Sequence, residues 1–235
     1  MTLHILRLQK DFFKRDTHLV AHDLIGKTIV RYVDFLGKYC KLSGLIVETE
    51  AYGYNDDPAS HAYRRITKRN KIMFGDVGRI YIYLSYGNHY CFNIVAKNEG
   101  CTAGAVLIRS IQPLEGFNLM KIFRKTDNLF NLTAGPGKLT QALKISKNKN
   151  GLDVTNETNT SLYLEYTKQE DFINNEIDEL SNEFYVQATN RIGISKALEK
   201  KWRFIMMSKK MIDNDDDTKG YVYVPSNFLS IKGQI

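Results

Sequence analysis

The chain has 235 residues, 43% hydrophobic and 25% charged, a balance that suits one sizeable core and argues against wholesale disorder. Its net charge of +7 suits a polyanionic partner without naming one. Cys40, Cys91 and Cys101 have no C-x-x-C spacing and signal neither a zinc site nor a disulfide framework.

No apolar run reaches the roughly 20 residues of a membrane span, and the first residues, MTLHILRLQKDFFKRD, lack a secretory apolar region. A soluble, cytoplasmic, prokaryotic and nucleoid-associated protein is expected, or a nuclear one in a eukaryote. Basic residues crowd at Arg64, Arg65, Lys68, Arg69 and Lys71, and acidic ones at Asp213 and Asp215 to Asp217. The first group suits phosphates; the second reads as a solvated loop.

In chain order, residues 11–26 read as a helix, with Asp16 or Thr17 as N-cap and Gly26 as its stop. Segments 27–34 and 40–52 are rich in β-branched and aromatic residues and flank a turn at Gly37, which predicts an antiparallel hairpin. Residues 53–79 form a long polar segment of a kind usually kept for function. Strands are expected at 79–86 and 89–96 around Gly87-Asn88, and at 105–110. Helices are expected at 114–127 and from Lys138, a polar loop at 147–160, and strands at 161–166, 184–194 and 202–208. The last 25 or so residues receive no placement. The order is mixed and not βαβ, so one α+β domain over residues 1–235 is expected, with a mostly antiparallel sheet.

Three groups of residues could carry chemistry. In VETEAY (47–52), strand alternation puts Glu48, Glu50 and Tyr52 on one face. Three readings stay open: a solvated polar face, a water-activating base in a cleft, or a metal site completed by Asp56, Asp57 or His61. The segment RIYIYLSYGNHYCFNIV (79–95) holds Tyr81, Tyr83, Tyr86, Tyr90 and Phe92. These suit cross-strand packing, or base stacking and insertion into a duplex. Asn93 either satisfies the core or reads a base edge, and Arg109 either marks a sheet edge or holds a carboxylate or water near Glu50. Gly135-Pro136-Gly137-Lys138 opens a helix and suits a DNA-backbone contact, but it is not a Walker motif.

The motifs HDLIGK, GLIVETEAY, DPASHA, RNKIMF, GRIYIYLSYGNHYCFNIV, VLIRSIQPLEG, LTAGPGKLTQAL and RIGI run in order from about Phe12 to Met206. Together they resemble the alkyladenine, or mammalian-type 3-methyladenine, DNA glycosylase family. The resemblance implies a curved antiparallel sheet flanked by helices, like the C-terminal domain of methionyl-tRNA formyltransferase. It implies a monomeric, monofunctional base-excision-repair hydrolase. Such an enzyme flips damaged purines from duplex DNA and leaves an abasic site, without metal or organic cofactor.

By the same resemblance Glu50 is the general base, while Arg109 and the Ile192 carbonyl hold the nucleophilic water. Tyr52, His61 and Tyr83 sandwich the flipped base, Tyr83 on one side and Tyr52 with His61 on the other. Asn93 disfavours guanine, Tyr86 wedges into the minor groove, and Arg64, Arg69, Met73 and Lys138 meet DNA. Departures are His89, where vertebrate members have an aromatic, a longer 97–104 loop and an unmatched stretch at 147–180. The rival classes are a metal-dependent nuclease and a non-catalytic nucleic-acid-binding module.

Overall fold

A computed structural model describes residues 7–85, 87–167 and 184–208. Tyr86, the acidic group at 213–217 and much of the 147–180 stretch lie outside the described residues. Strands β1 (Lys27–Phe35) and β2 (Lys38–Tyr52) form the expected antiparallel hairpin. Strands β3 (Ile80–Ser85) and β4 (His89–Val95) form a second one. β5 (Ala105–Glu115), β6 (Leu162–Tyr166), β7 (Phe184–Thr189) and β8 (Arg203–Ser208) complete one sheet, whose strand pairings among the described residues are antiparallel. The order is β3-β4-β5-β2-β1-β6, and β8 joins β2 while pairing with β7. The α+β class and the mostly antiparallel sheet therefore hold.

Several local expectations change. The helix expected at 11–26 is two short helices, α1 (Lys10–Phe13) and α2 (Thr17–Asp23). Lys14 leaves helical geometry, and the Arg15 Nε–H caps the Phe12 carbonyl at 2.9 Å. Asp16 occupies the N-cap of α2 but makes no side-chain cap; its carboxylate accepts from Asn98 instead.

β5 runs five residues past its expected end, through Pro113, which sits opposite Gly44 where the register shifts. A shifted register tolerates a residue that cannot donate to the ladder. Gly116 then ends β5 in the left-handed region, at φ 85°; a Cβ there would lie 2.4 Å from Leu42 Cδ2. Helix α3 (Phe117–Arg124) follows, and α4 (Pro136–Ala142) takes its expected place.

The main core joins the helices to one face of the sheet. Val20 and Ala21 of α2, Leu24 at its C-cap, and Leu139 and Ala142 of α4 pack with Ile82, Phe92, Ile94, Val106 and Ile108. A smaller cluster of Ala62, Met73, Tyr81, Ala103 and Ala105 forms on the alternate residues of β3 and β5. Among the described residues, no helix is long and apolar enough to cross a membrane.

Candidate active site

Two facing bulges in β2 and β5 build the site. Ile46 pairs with Ile111 and Glu48 with Ser110, so Val47 is extra on β2. Glu48 pairs with Ser110 and Thr49 with Ile108, so Arg109 is extra on β5. Each bulge reverses the alternation. Before it, Leu42 and Ile46 join the main core; after it, Ala51 does, and Thr49 donates to the Ala21 carbonyl of α2 at 2.7 Å. On β5, Val106 and Ile108 join the core before the bulge and Ile111 after it. Glu48, Glu50 and Arg109 are thereby aimed away from the core, a common use of bulges near functional sites.

The Glu50 side chain is fully buried, yet its carboxylate is richly bonded. Oε2 accepts from the Tyr52 hydroxyl at 2.8 Å and from Arg109 Nη1 at 3.1 Å. Oε1 accepts from the Ile192 backbone N–H at 2.7 Å. Two carboxylate oxygens offer about four acceptor positions, so room remains for one further donor. Glu48 sits one alternation earlier, and its Oε1 accepts from Arg109 Nε at 2.7 Å and Arg203 Nε at 2.6 Å. Burial works against charge on Arg109, but Glu50 and Glu48 outweigh it and hold the guanidinium above its ordinary range. Burial first, and then the Glu50 charge, push the Tyr52 phenol far up, so it remains a donor.

These donors border a cavity of about 510 Å³, within the roughly 300–1,000 Å³ common for small-molecule sites. Its walls include Tyr52, His61, Arg69, Met73, Tyr83, Asn93, Arg109 and Ile192. The structure thus brings together eight of the expected residues, with Glu50 directly behind three of them. His61 and Tyr83 meet edge to face at 4.5 Å between centroids. His61 thus packs beside Tyr83, whereas the expected grouping set it with Tyr52.

The His61 ring is exposed to the cavity, and Nδ1 lies 3.0 Å from the Tyr81 hydroxyl. Desolvation by the surrounding walls, then the Arg69 charge, hold it down to about 4. It is therefore neutral at neutral pH, with one donor and one acceptor nitrogen. The Asn93 amide nitrogen donates to the carbonyls of Tyr81 and Cys91, and the residue lines the cavity. Met73, expected to meet DNA, is 2% exposed and belongs to the cavity wall.

Arg69 places its guanidinium 4.9 Å from the Tyr83 ring centroid, linking the exposed basic segment to the cavity. Arg64 is exposed and lies over Tyr63, outside the cavity lining. Lys138 is half-buried and donates to Asn131 at 2.6 Å, whereas Pro136 of the same motif does line the cavity.

Sequence reasoning overlooked a second buried pair. Arg191 grips Asp57 with two bonds of 2.7 Å, both side chains being fully buried. It also donates to the Ala51 carbonyl at 2.8 Å and covers the Tyr52 ring at 4.8 Å. One guanidinium so ties the end of β2, the 53–61 loop and the 191–194 segment together, next to the residue whose N–H meets Glu50. In the sequence Asp57 stands as a possible metal ligand and as the first residue of DPASHA, and Arg191 as the first of RIGI; neither pattern pairs them. The other carboxylates of the metal reading are also committed, Asp56 to Lys200 and Glu48 to two arginines. Among the described residues, no three His, Cys, Asp or Glu side chains converge as a ligand set.

Comparison with known proteins bears on this arrangement. A "Putative 3-methyladenine DNA glycosylase" of Prosthecochloris aestuarii is 45% identical over 197 residues, 84% of this chain and 86% of that protein. Proteins of the same name from Carboxydothermus hydrogenoformans and Clostridium botulinum are 41% and 39% identical, each over more than four-fifths of both chains. Residues 11–210, from the first helix through the last described strand, match the family described as "Methylpurine-DNA glycosylase (MPG)". The chain belongs to the methylpurine-DNA glycosylase family of DNA repair enzymes.

Proposed function

We propose that this protein acts as a monomer on duplex DNA, turns a damaged purine into the 510 Å³ cavity and hydrolyses its N-glycosidic bond with water activated by Glu50. The observation that carries this reading is the fully buried Glu50 carboxylate, held by three donors at the back of an aromatic-walled cavity beside an exposed basic segment. An enzyme acting on a base within a duplex must first extrude it, which is cheapest for a damaged or mispaired base. Tyr86, between β3 and β4 in sequence, would fill the gap left in the stack. Tyr83 with His61, and Tyr52, would flank the base. Arg64 and Lys138 would meet phosphates outside the cavity.

Glu50 would accept a proton from the water whose oxygen bonds to C1′. The C1′–N bond breaks as that bond forms, and its electron pair leaves with the base. An N-alkylated purine is already cationic and leaves readily, whereas hypoxanthine needs a ring proton. The Ile192 N–H, rather than its carbonyl, contacts Glu50 directly, so this segment would orient the base as well as the water. The products would be a free purine and an abasic site, with the strand intact.

Glu50→Gln tests the reading. Release of hypoxanthine and 3-methyladenine from duplexes in EDTA should fall by roughly 10²–10⁴-fold, the usual worth of general-base catalysis, while affinity for the damaged duplex persists. Release at near wild-type rate would remove Glu50 from this role. Strand cleavage lost in EDTA would instead favour a nuclease.

A further inference from the structure

Glu48 has no part in the reaction described above, yet it is 4% exposed and shares the Arg109 guanidinium with Glu50. Arg109 divides its fork, giving Nε to Glu48 and a single Nη1 to Glu50. Undivided, a guanidinium prefers to grip one carboxylate with two parallel bonds. Such a grip on Glu50 would occupy the acceptor position that the water needs, and would lower its basicity. Arg203 approaches Glu48 from β8, on the other side of β2, and donates to the same oxygen as Arg109. Two arginines thus share one oxygen of Glu48, and the charge of each tempers the pull of Glu48 on the other.

We infer that Glu48 is a positioning residue that holds Arg109 away from a two-bond grip on Glu50, and that Arg203 sets the strength of that hold. The inference rests on Glu50 being the general base. Among the described residues, the charged and titratable groups around Glu50 are Tyr52 and Glu48 of its own strand, Arg109 of β5, Cys91 of β4, Arg203 opposite it on β8, and Arg191 of the 191–194 segment. Removing the negative charge of Glu48 leaves Glu50 facing three arginines without a second carboxylate, and its basicity falls. Removing Arg203 does the opposite, because Glu48 is then free to draw Arg109 further away.

The test is single-turnover release of 7-methylguanine, which is cationic while attached to the sugar and leaves as the neutral base without needing a proton, so the acid limb of the rate profile reports the general base. Glu48→Gln should lower the plateau rate about tenfold and move the acid limb down by about one pH unit, the scale of a nearby charge. Arg203→Met should move that limb up. Binding to the damaged duplex should change little in either. Opposite displacements are the signature, because general damage to the fold would not produce them; if Glu48→Gln fails to fold, the upward shift in Arg203→Met decides. An unmoved limb, or two limbs moving the same way, overturns the inference. Glu50→Gln run alongside separates the two readings. If it is active, the general-base role falls; if it is inactive while Glu48→Gln behaves as wild type, only the role of Glu48 falls.

Discussion

Ile82 and Tyr83 are neighbours on β3, yet they serve different parts of the molecule. Ile82 is fully buried in the main core with Phe92, Ile94, Val106 and Ile108. Tyr83 lines the cavity with Asn93 and Arg109, which belong to the same alternating set on β4 and β5. The core side needs only volume and shape, because its side chains are apolar and close-packed. The cavity side is polar, and its members hold one another: Tyr52 and Arg109 on Glu50, Arg109 and Arg203 on Glu48, His61 on Tyr81. Substitutions on the core side should therefore cost stability and spare the chemistry, while many on the cavity side should do the reverse.

Arg191→Met is the strongest attempt to break that division. It leaves Asp57 buried without its counter-charge, and loss of one partner of a buried pair costs about 3–5 kcal/mol. Denaturant unfolding should show a loss of that size, along with slower excision as the Ile192 N–H shifts from Glu50. A cost under about 1 kcal/mol would mean that water readily reaches Asp57, since exposed pairs are worth that little.

Ile82→Ala tests the other side. It should cost about 2–5 kcal/mol by transfer and cavity terms, with excision per folded molecule unchanged. A large fall in that rate would show that the two faces are mechanically coupled.

Tyr52→Phe removes only the hydroxyl that donates to Glu50 at 2.8 Å. A hydrogen bond to a charged group is worth about 1.5–3 kcal/mol. If the bond orients the base, excision should slow by roughly tenfold or more, with a small shift in melting temperature. An unchanged rate would assign Tyr52 to base contact alone.

The smallest effect concerns His61. Its imidazole should titrate near pH 4 by NMR, not near its free value of about 6.5. Above pH 6.5 the folded and unfolded states are both neutral at this residue. As pH falls from 6.5 towards 4 only the unfolded chain takes the proton, so stability declines across that window. Arg69→Ala should raise the midpoint modestly, because Arg69 is the second cause after desolvation. A midpoint at 6.5 in the wild type would show that the walls do not desolvate the ring.

Much of the sheet was legible because its signals are local. Gly37 and Gly87-Asn88 mark the turns of the two hairpins, and β-branched and aromatic runs flank them. The helix from Lys138 was equally local. The break between α1 and α2 was not, since it depends on Lys14 leaving helical geometry. Nor was the run of β5 through Pro113, which a register shift opposite Gly44 permits. Segment 184–194 read as one strand, but pairing stops at Thr189, and the remainder bends to bring Arg191 and Ile192 to the site.

What the sequence by itself determined is the composition of the site. VETEAY and the tyrosine-rich hairpin lie within a few dozen residues of one another, and strand alternation already grouped Glu48 and Glu50 with Tyr52. Only the tertiary structure decided how these residues are poised. The paired bulges at Val47 and Arg109 reverse the facing of both strands at one level, and a one-residue change in register sends every later side chain to the opposite face. The same holds for the partners of the carboxylates. Arg191 meets Asp57 across 134 residues and Arg203 meets Glu48 across 155. Such pairs carry no local spacing rule, because a buried charge takes its counter-ion from whichever chain segment the fold returns beside it.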